Sequence, residues 1–148
     1  MVALFRDNTQ DVLTRDFAVQ HIGLYAQALH RRGTYRPGSA EARLLRAALD
    51  DAADDTGTIL AAAAFRALAD MTVFDPRIDA RRLDSRLVSC LGAASSALAA
   101  RVMAAQLCGE RRIAAARRPL SDIVADVTAA TPLRRAARAA LASLSPEK

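Results

Sequence analysis

The chain has 148 residues, 52% of them hydrophobic and 4% aromatic, with 35 alanines, 20 arginines, one lysine and a formal net charge of +5. A single domain spanning residues 1–148 is expected at this length, and the apolar majority excludes disorder of the kind that follows from too few hydrophobic residues. Alanine is the best helix former and is depleted in strands, and six glycines, five prolines and no tryptophan leave little for turns or sheet packing, so an all-α fold is expected.

The opening residues, MVALFRDNTQ, reach Arg6 and Asp7 before an apolar run forms, so no export signal is expected there. Residues 1–7 and 145–148 are read as short flexible ends. In TQDVLTRDFAVQHIGLYAQALHRR, Val12, Leu13, Phe17, Ala18, Ile22, Tyr25 and Leu29 recur at steps of three and four, the period of one helix face. Thr9 is the expected N-cap with Asp11 in the first turn, His30, Arg31 and Arg32 suit the negative end of the dipole, and Gly33 stops the helix. Ser39 is expected to cap a second helix through Ala42, Leu45, Ala48, Leu49 and Ala52, which DDTG breaks. TILAAAAFRALADM is small or apolar on almost every side and must be covered by other helices. After the FDPRID loop, ARRLDSRLVSCLG forms a stripe of Leu83, Leu87, Val88 and Leu91, and Ser95 is expected to cap SALAARVMAAQLCGE. The uncharged stretch 87–100 has 14 residues, short of the roughly 20 that span a bilayer, so no membrane association is expected. Pro119 is expected to split the next segment, with a helix from about Leu120 to Val127. Thr131 then reads as a cap with Pro132 in the first helical position, opening a seventh helix, LRRAARAALASL.

Seven helices with short connections invite a search for self-similarity. RDFAVQHI from Arg15 aligns with RVMAAQLC from Arg101, matching Arg15 with Arg101, Ala18 with Ala104 and Gln20 with Gln106. The last helix keeps the register with Arg134, Ala137 and Leu141, and the alanine-rich helix with Ala64 and Leu68, although Ala61 stands in the arginine's place. The small residues Ala18, Ala64, Ala104 and Ala137 are thus 46, 40 and 33 residues apart, with one more amphipathic helix between each pair. This register resembles that of HEAT-type helical repeats over about residues 8–145. Asp54 and Asp55 before TGTILAAAAFRALADM, and TPLRRAARAALASL, are similar to the polar turn and small-residue helix of a HEAT unit. The resemblance implies a right-handed α-solenoid of about three and a half hairpins, in which each hairpin buries its apolar face only against its neighbours.

Catalytic signatures are absent: there is no GxSxG, Walker loop or HExxH, and only His21 and His30 are available for acid–base or metal work. His21 reads as a partly buried structural residue and His30 as a charge near a helix end. Asp50, Asp51, Asp54 and Asp55 lack EF-hand spacing and read as solvated or capping groups, while Asp16 beside Arg15 is placed to bridge repeats. Cys90 and Cys108 form no metal or disulfide pattern and read as free buried thiols of a cytoplasmic protein. No catalytic residue, cofactor or metal is therefore assigned. HEAT-like DNA glycosylases imply an aromatic cleft, with tryptophan, around a catalytic aspartate, whereas all six aromatics here lie in the first half, which carries a net −1, and residues 75–148 carry +6. Nothing identifies the tetrapyrrole site that a likeness to the HEAT-like subunits of bilin lyases would imply.

The remaining signal is the surface. The resemblance places the second helices of successive hairpins on the concave side, where Arg43, Arg46, Arg82, Arg86, Arg117 and Arg118 form an expected arginine ladder. Guanidinium groups grip carboxylates and phosphates in bidentate fashion. The expected function is a protein-binding scaffold or adaptor whose partner has an acidic surface. The alternative is an arginine-rich nucleic-acid-binding module. The last helix lacks a partner in this scheme, so it either caps the stack or pairs with another chain as a homodimer. Sedimentation at micromolar concentration tests the pairing, and a lone 15.8 kDa species argues against it.

Overall fold

The computed structural model describes residues 1–145, and among them there are eight α-helices and no strand. These are α1 (Val2–Arg6), α2 (Val12–Arg31), α3 (Ala40–Asp54), α4 (Leu60–Met71), α5 (Ala80–Gly92), α6 (Leu98–Glu110), α7 (Arg117–Ala125) and α8 (Thr131–Leu144), with one 3-10 turn, Ala114–Ala116, before α7. Within the described residues, no helix is long and apolar enough to cross a membrane. The C-terminal end expected at 145–148 lies, except for Ser145, outside the described residues.

Local chemistry explains most boundaries. Asp11, and not Thr9, caps α2: its carboxylate accepts from the N–H groups of Leu13 and Thr14, both at 2.9 Å, while Thr9 is held by Asp7. A carboxylate is the stronger acceptor and also suits the positive end of the helix dipole. Ser39 caps α3 as expected, accepting from Ala42 N–H at 3.0 Å, and Gly33 ends α2 with φ 69°. Ser95 and Thr131 do not cap. Helix α6 starts after Ala97, whose N–H donates to Thr56 O at 2.7 Å, and Thr131 is itself the first residue of α8. The segment around Pro119 divides as expected into a short turn, Ala114–Ala116, and a helix, but α7 starts at Arg117 and not at Leu120, with Pro119 in its first turn, where the missing N–H would have had no helical partner.

The helix count differs from the expected seven because residues 2–6 form α1. Phe5 is buried against α2, and Arg15 fixes it there by donating from Nε to Phe5 O at 2.9 Å with its guanidinium 5.6 Å from the ring centre. The extra helix changes the pairing: α1 packs on α2, α3 on α4, α5 on α6 and α7 on α8. The last helix therefore has a partner, and its Leu133 and Ala137 are buried. Helices α2, α4, α6 and α8 also touch one another in sequence, whereas the odd-numbered helices touch little. The molecule thus has a tight even row and a loose odd row.

The four register alanines, Ala18, Ala64, Ala104 and Ala137, are all buried in the even row. Closest approach occurs beside them. A Cβ on Gly23 would stand 2.6 Å from Ala67 Cβ, and one on Gly109 only 2.8 Å from Ala140 Cα. Both glycines follow their register alanine by the same interval, and so do both partners, so the α2–α4 and α6–α8 contacts are copies of each other. The arginine of the register repeats as well, since Arg101 reaches Leu91 O (3.1 Å from its terminal nitrogen) just as Arg15 reaches Phe5 O, each ten residues back. Asp16, expected to bridge repeats, instead accepts from Gln20 within α2.

Replacing either glycine by alanine is expected to destabilise by about 1–3 kcal/mol despite the gain in helix propensity, because backbone must move. Gly92→Ala, with nothing within 4 Å, is the control and is expected to gain up to about 1 kcal/mol. Chemical denaturation of the three variants measures the contrast.

Candidate interaction surface

The six arginines of the expected ladder lie on α3, α5 and α7, in the odd row. Arg46 donates to the Asp75 carboxylate and, at 3.0 Å, to Pro37 O. Asp75 is 0% exposed and also accepts from Tyr35 Oη at 2.6 Å and from Arg77 N–H at 3.0 Å, so it ties the α2–α3 and α4–α5 loops to α3. Burial drives the Asp75 carboxyl upward, but its bonds from Tyr35, Arg77 N–H and Arg46, with the Arg46 charge, outweigh that and hold it below the usual carboxylate range. Burial, followed by the bond to Asp75, raises the Tyr35 hydroxyl above its ordinary value.

Arg86 spans α5 to α3, meeting Asp50 at 2.7 Å and Asp54 at 2.6 Å, and Asp51 pairs with Arg6 at 3.0 Å. Three of the four clustered aspartates, expected to be solvated or capping, are thus joined to arginines of neighbouring helices. Arg43 donates to Gly38 O at 2.8 Å and Arg117 to Leu144 O at 2.6 Å. Arg46, Arg82 and Arg86 come together with Arg77 around a cavity of about 120 Å³, whereas Arg117 and Arg118 lie apart from it. Arg46 and Arg86 belong to the fold's own ion pairs.

The histidines and cysteines assemble no reactive group. His21 sits half-buried with Nδ1 2.9 Å from Phe17 O, and His30 stacks on Phe74 with ring centres 4.2 Å apart. Both thiols are buried, and burial pushes Cys108 up to about 12, with Asp84 adding to the rise. No group of three His, Cys, Asp or Glu among the described residues is placed to hold a metal.

The open surface is on the even row instead. Leu13, Phe17 and Leu24 of α2 are 69%, 57% and 53% exposed. Beside them a groove of about 390 Å³ runs between α2 and α4, lined by Gly23, Leu24, Ala63 and Ala67 and by Met103 of α6, with the polar Gln20 and Gln27 and the paired Arg66 and Asp70. A second groove, of about 940 Å³, lies between α6 and α8 and is lined by Val102, Gln106, Arg134, Arg135 and Arg138, with no acidic side chain among the described residues. Val102 and Met103 are neighbours on α6, so the grooves flank one helix, and Gln20 and Gln106 occupy the same register in each. Each groove lies beside a tight glycine–alanine contact. The sequence signal for them was the residue directly after each aligned segment, Gly23 after RDFAVQHI and Gly109 after RVMAAQLC. No family model, curated protein or solved structure matches the chain.

Arg46→Ala strands a buried carboxylate and is expected to cost about 3–5 kcal/mol. The stability that Asp75 contributes is complete above its unfolded value of about 3.8 and is lost as pH falls through its lower folded value. Denaturation as a function of pH should therefore show an acid limb that is weaker in Asp75→Asn.

Proposed function

We propose that the chain is a HEAT-like helical-repeat scaffold that binds another protein and carries no chemistry of its own. The observation that carries this reading is the pair of register-related grooves flanking α6 on a face that also exposes Leu13, Phe17 and Leu24. Repetition of the α2–α4 contact in α6–α8 supports a stack of four helix pairs, and buried free thiols fit a cytoplasmic setting. A tight even row beside a loose odd row favours a curved solenoid with α2, α4, α6 and α8 on its concave side. On this reading the ladder helices α3, α5 and α7 take the convex side, and the partner docks on the even row. Exposed apolar area bordered by polar and charged groups is what a protein interface presents.

Affinity capture from native-host lysate tests the reading. The wild-type chain is expected to retain one recurrent protein, and Phe17→Asp combined with Leu24→Asp to lose it while melting within about 0.5 kcal/mol of wild type, since both side chains are exposed. Equal capture by the variant, or no recurrent partner, defeats it. The three arginines of the α6–α8 groove, with no acid among them, favour nucleic-acid binding as the second reading. That reading requires affinity for DNA or RNA that falls steeply with log salt, and it ends if no salt-sensitive binding is seen at low salt.

A further inference from the structure

We infer that the groove between α6 and α8 is the subsite that takes the acidic side chains of the partner, with Arg134, Arg135 and Arg138 as the carboxylate-binding residues. The inference rests on the protein-binding reading above and specifies which part of the partner lies where.

The repeat itself supplies the first argument. Arg15 and Arg101 are tied to a backbone carbonyl ten residues earlier, Phe5 O and Leu91 O, each on the penultimate residue of the preceding odd helix. Arg134 holds the same register in α8, and ten residues earlier stands Val124, again penultimate in its helix. The third bond is not made: Arg134 Nε is shielded from solvent and has no acceptor among the described residues. A guanidinium N–H removed from water without an acceptor costs free energy that an incoming oxyanion recovers. Arg134 also lines the groove, so a rotation of its side chain would bring the guanidinium to an acceptor there.

The charge balance supplies the second. Several interhelical arginines elsewhere are neutralised, Arg66 with Glu110 at 2.7 Å, Arg86 with Asp50 and Asp54, and Arg111 with Asp84 at 2.7 Å. Here three guanidinium groups share one turn of helix, and among the described residues no carboxylate lines the groove. The acid that senses Arg134 is Asp126, whose carboxylate already accepts from the hydroxyl and N–H of Thr128 at 2.6 and 2.8 Å. Arg134 and Arg138, four residues apart, face the same side, so two carboxylates a turn apart on a partner helix match their spacing.

A peptide fits better than a nucleic acid. The basic patch lies on one turn of α8 and opens, past Val102 and Met103, onto the largely apolar α2–α4 groove, whose carboxylate, Asp70, is already paired with Arg66 at 3.6 Å, with Leu24 and Phe17 beyond. A phosphodiester chain crossing that face would lay charge on apolar surface, and α8 offers no aromatic side chain on which bases could stack. A segment that carries leucine-like residues and then aspartates or glutamates matches both grooves in order.

The test uses fluorescence anisotropy with two labelled synthetic peptides, each with leucines at helical spacing, one followed by a run of glutamates and the other by glutamines. The full chain is expected to bind the glutamate peptide at least about tenfold more tightly than the glutamine peptide, and Arg135→Ala combined with Arg138→Ala to erase the difference. Both arginines are exposed and make no side-chain bond among the described residues, so the variant keeps its fold, which its circular dichroism melt verifies. Equal binding of the two peptides, no saturable binding of the glutamate peptide, or its displacement by a single-stranded DNA oligonucleotide at lower concentration overturns the inference. Equal binding that is still lost with Phe17→Asp overturns the acidic subsite alone and leaves the protein-binding reading standing.

Discussion

Where Gly23 meets Ala67 and Gly109 meets Ala140, backbone lies against backbone with room for nothing larger than the hydrogen on the glycine. That approach draws α2 to α4 and α6 to α8 and makes the even row tight. Both rows bury large side chains, Leu45, Leu83, Leu87 and Leu120 on the odd helices and Ile22, Phe65, Leu68 and Leu107 on the even ones. The close approach in the even row thus comes from the glycine–alanine contacts and not from smaller core residues. A chain with this much alanine obtains its core from close helix approach, because alanine buries little area per residue and gains through short interaxial distance.

The loose row needs another means of cohesion, and arginine provides it. Arg86 joins α5 to α3 through two carboxylates, Arg6 joins α1 to Asp51, and Arg46 with Tyr35 encloses Asp75 between two loops. Exposed pairs of this kind contribute little each, whereas a fully buried carboxylate that accepts from a tyrosine, a guanidinium and a backbone N–H is a strong constraint on loop geometry. Some arginines thus bridge helices through carboxylates, whereas Arg134, Arg135 and Arg138 on α8 hold none among the described residues.

This division bears on function. An arginine that already holds a carboxylate is a poor receptor for another, so the basic residues of α3 and α5 are less available to a partner than their number implies. The face of the even row combines exposed Leu13, Phe17 and Leu24 at one end with guanidinium groups that are unpaired among the described residues at the other. On the proposed reading such a surface would discriminate by direction as well as by composition, since a partner bound in reverse would place its acids on leucine and its leucines on arginine.

The all-helical character and the positions of seven of the eight helices were legible in the sequence, because alanine content and a three-to-four apolar period express backbone preference and burial directly. So was the register alanine, buried in all four copies. Helix α1 was not legible, since five residues are too few to show a period and the burial of Phe5 depends on Arg15 reaching back from another helix. The capping errors at Thr9, Ser95 and Thr131 have a similar cause: several polar residues near each boundary can cap, and tertiary contacts such as Ala97 N–H to Thr56 O decide among them. The arginine ladder was visible as a pattern, but whether each guanidinium faces solvent or a carboxylate on another helix depends on which helices become neighbours. Periodicity within a helix is a one-dimensional property that the sequence determines by itself; the partner of each charge and the open face of the stack are properties of pairs of helices, and only the tertiary structure decided them.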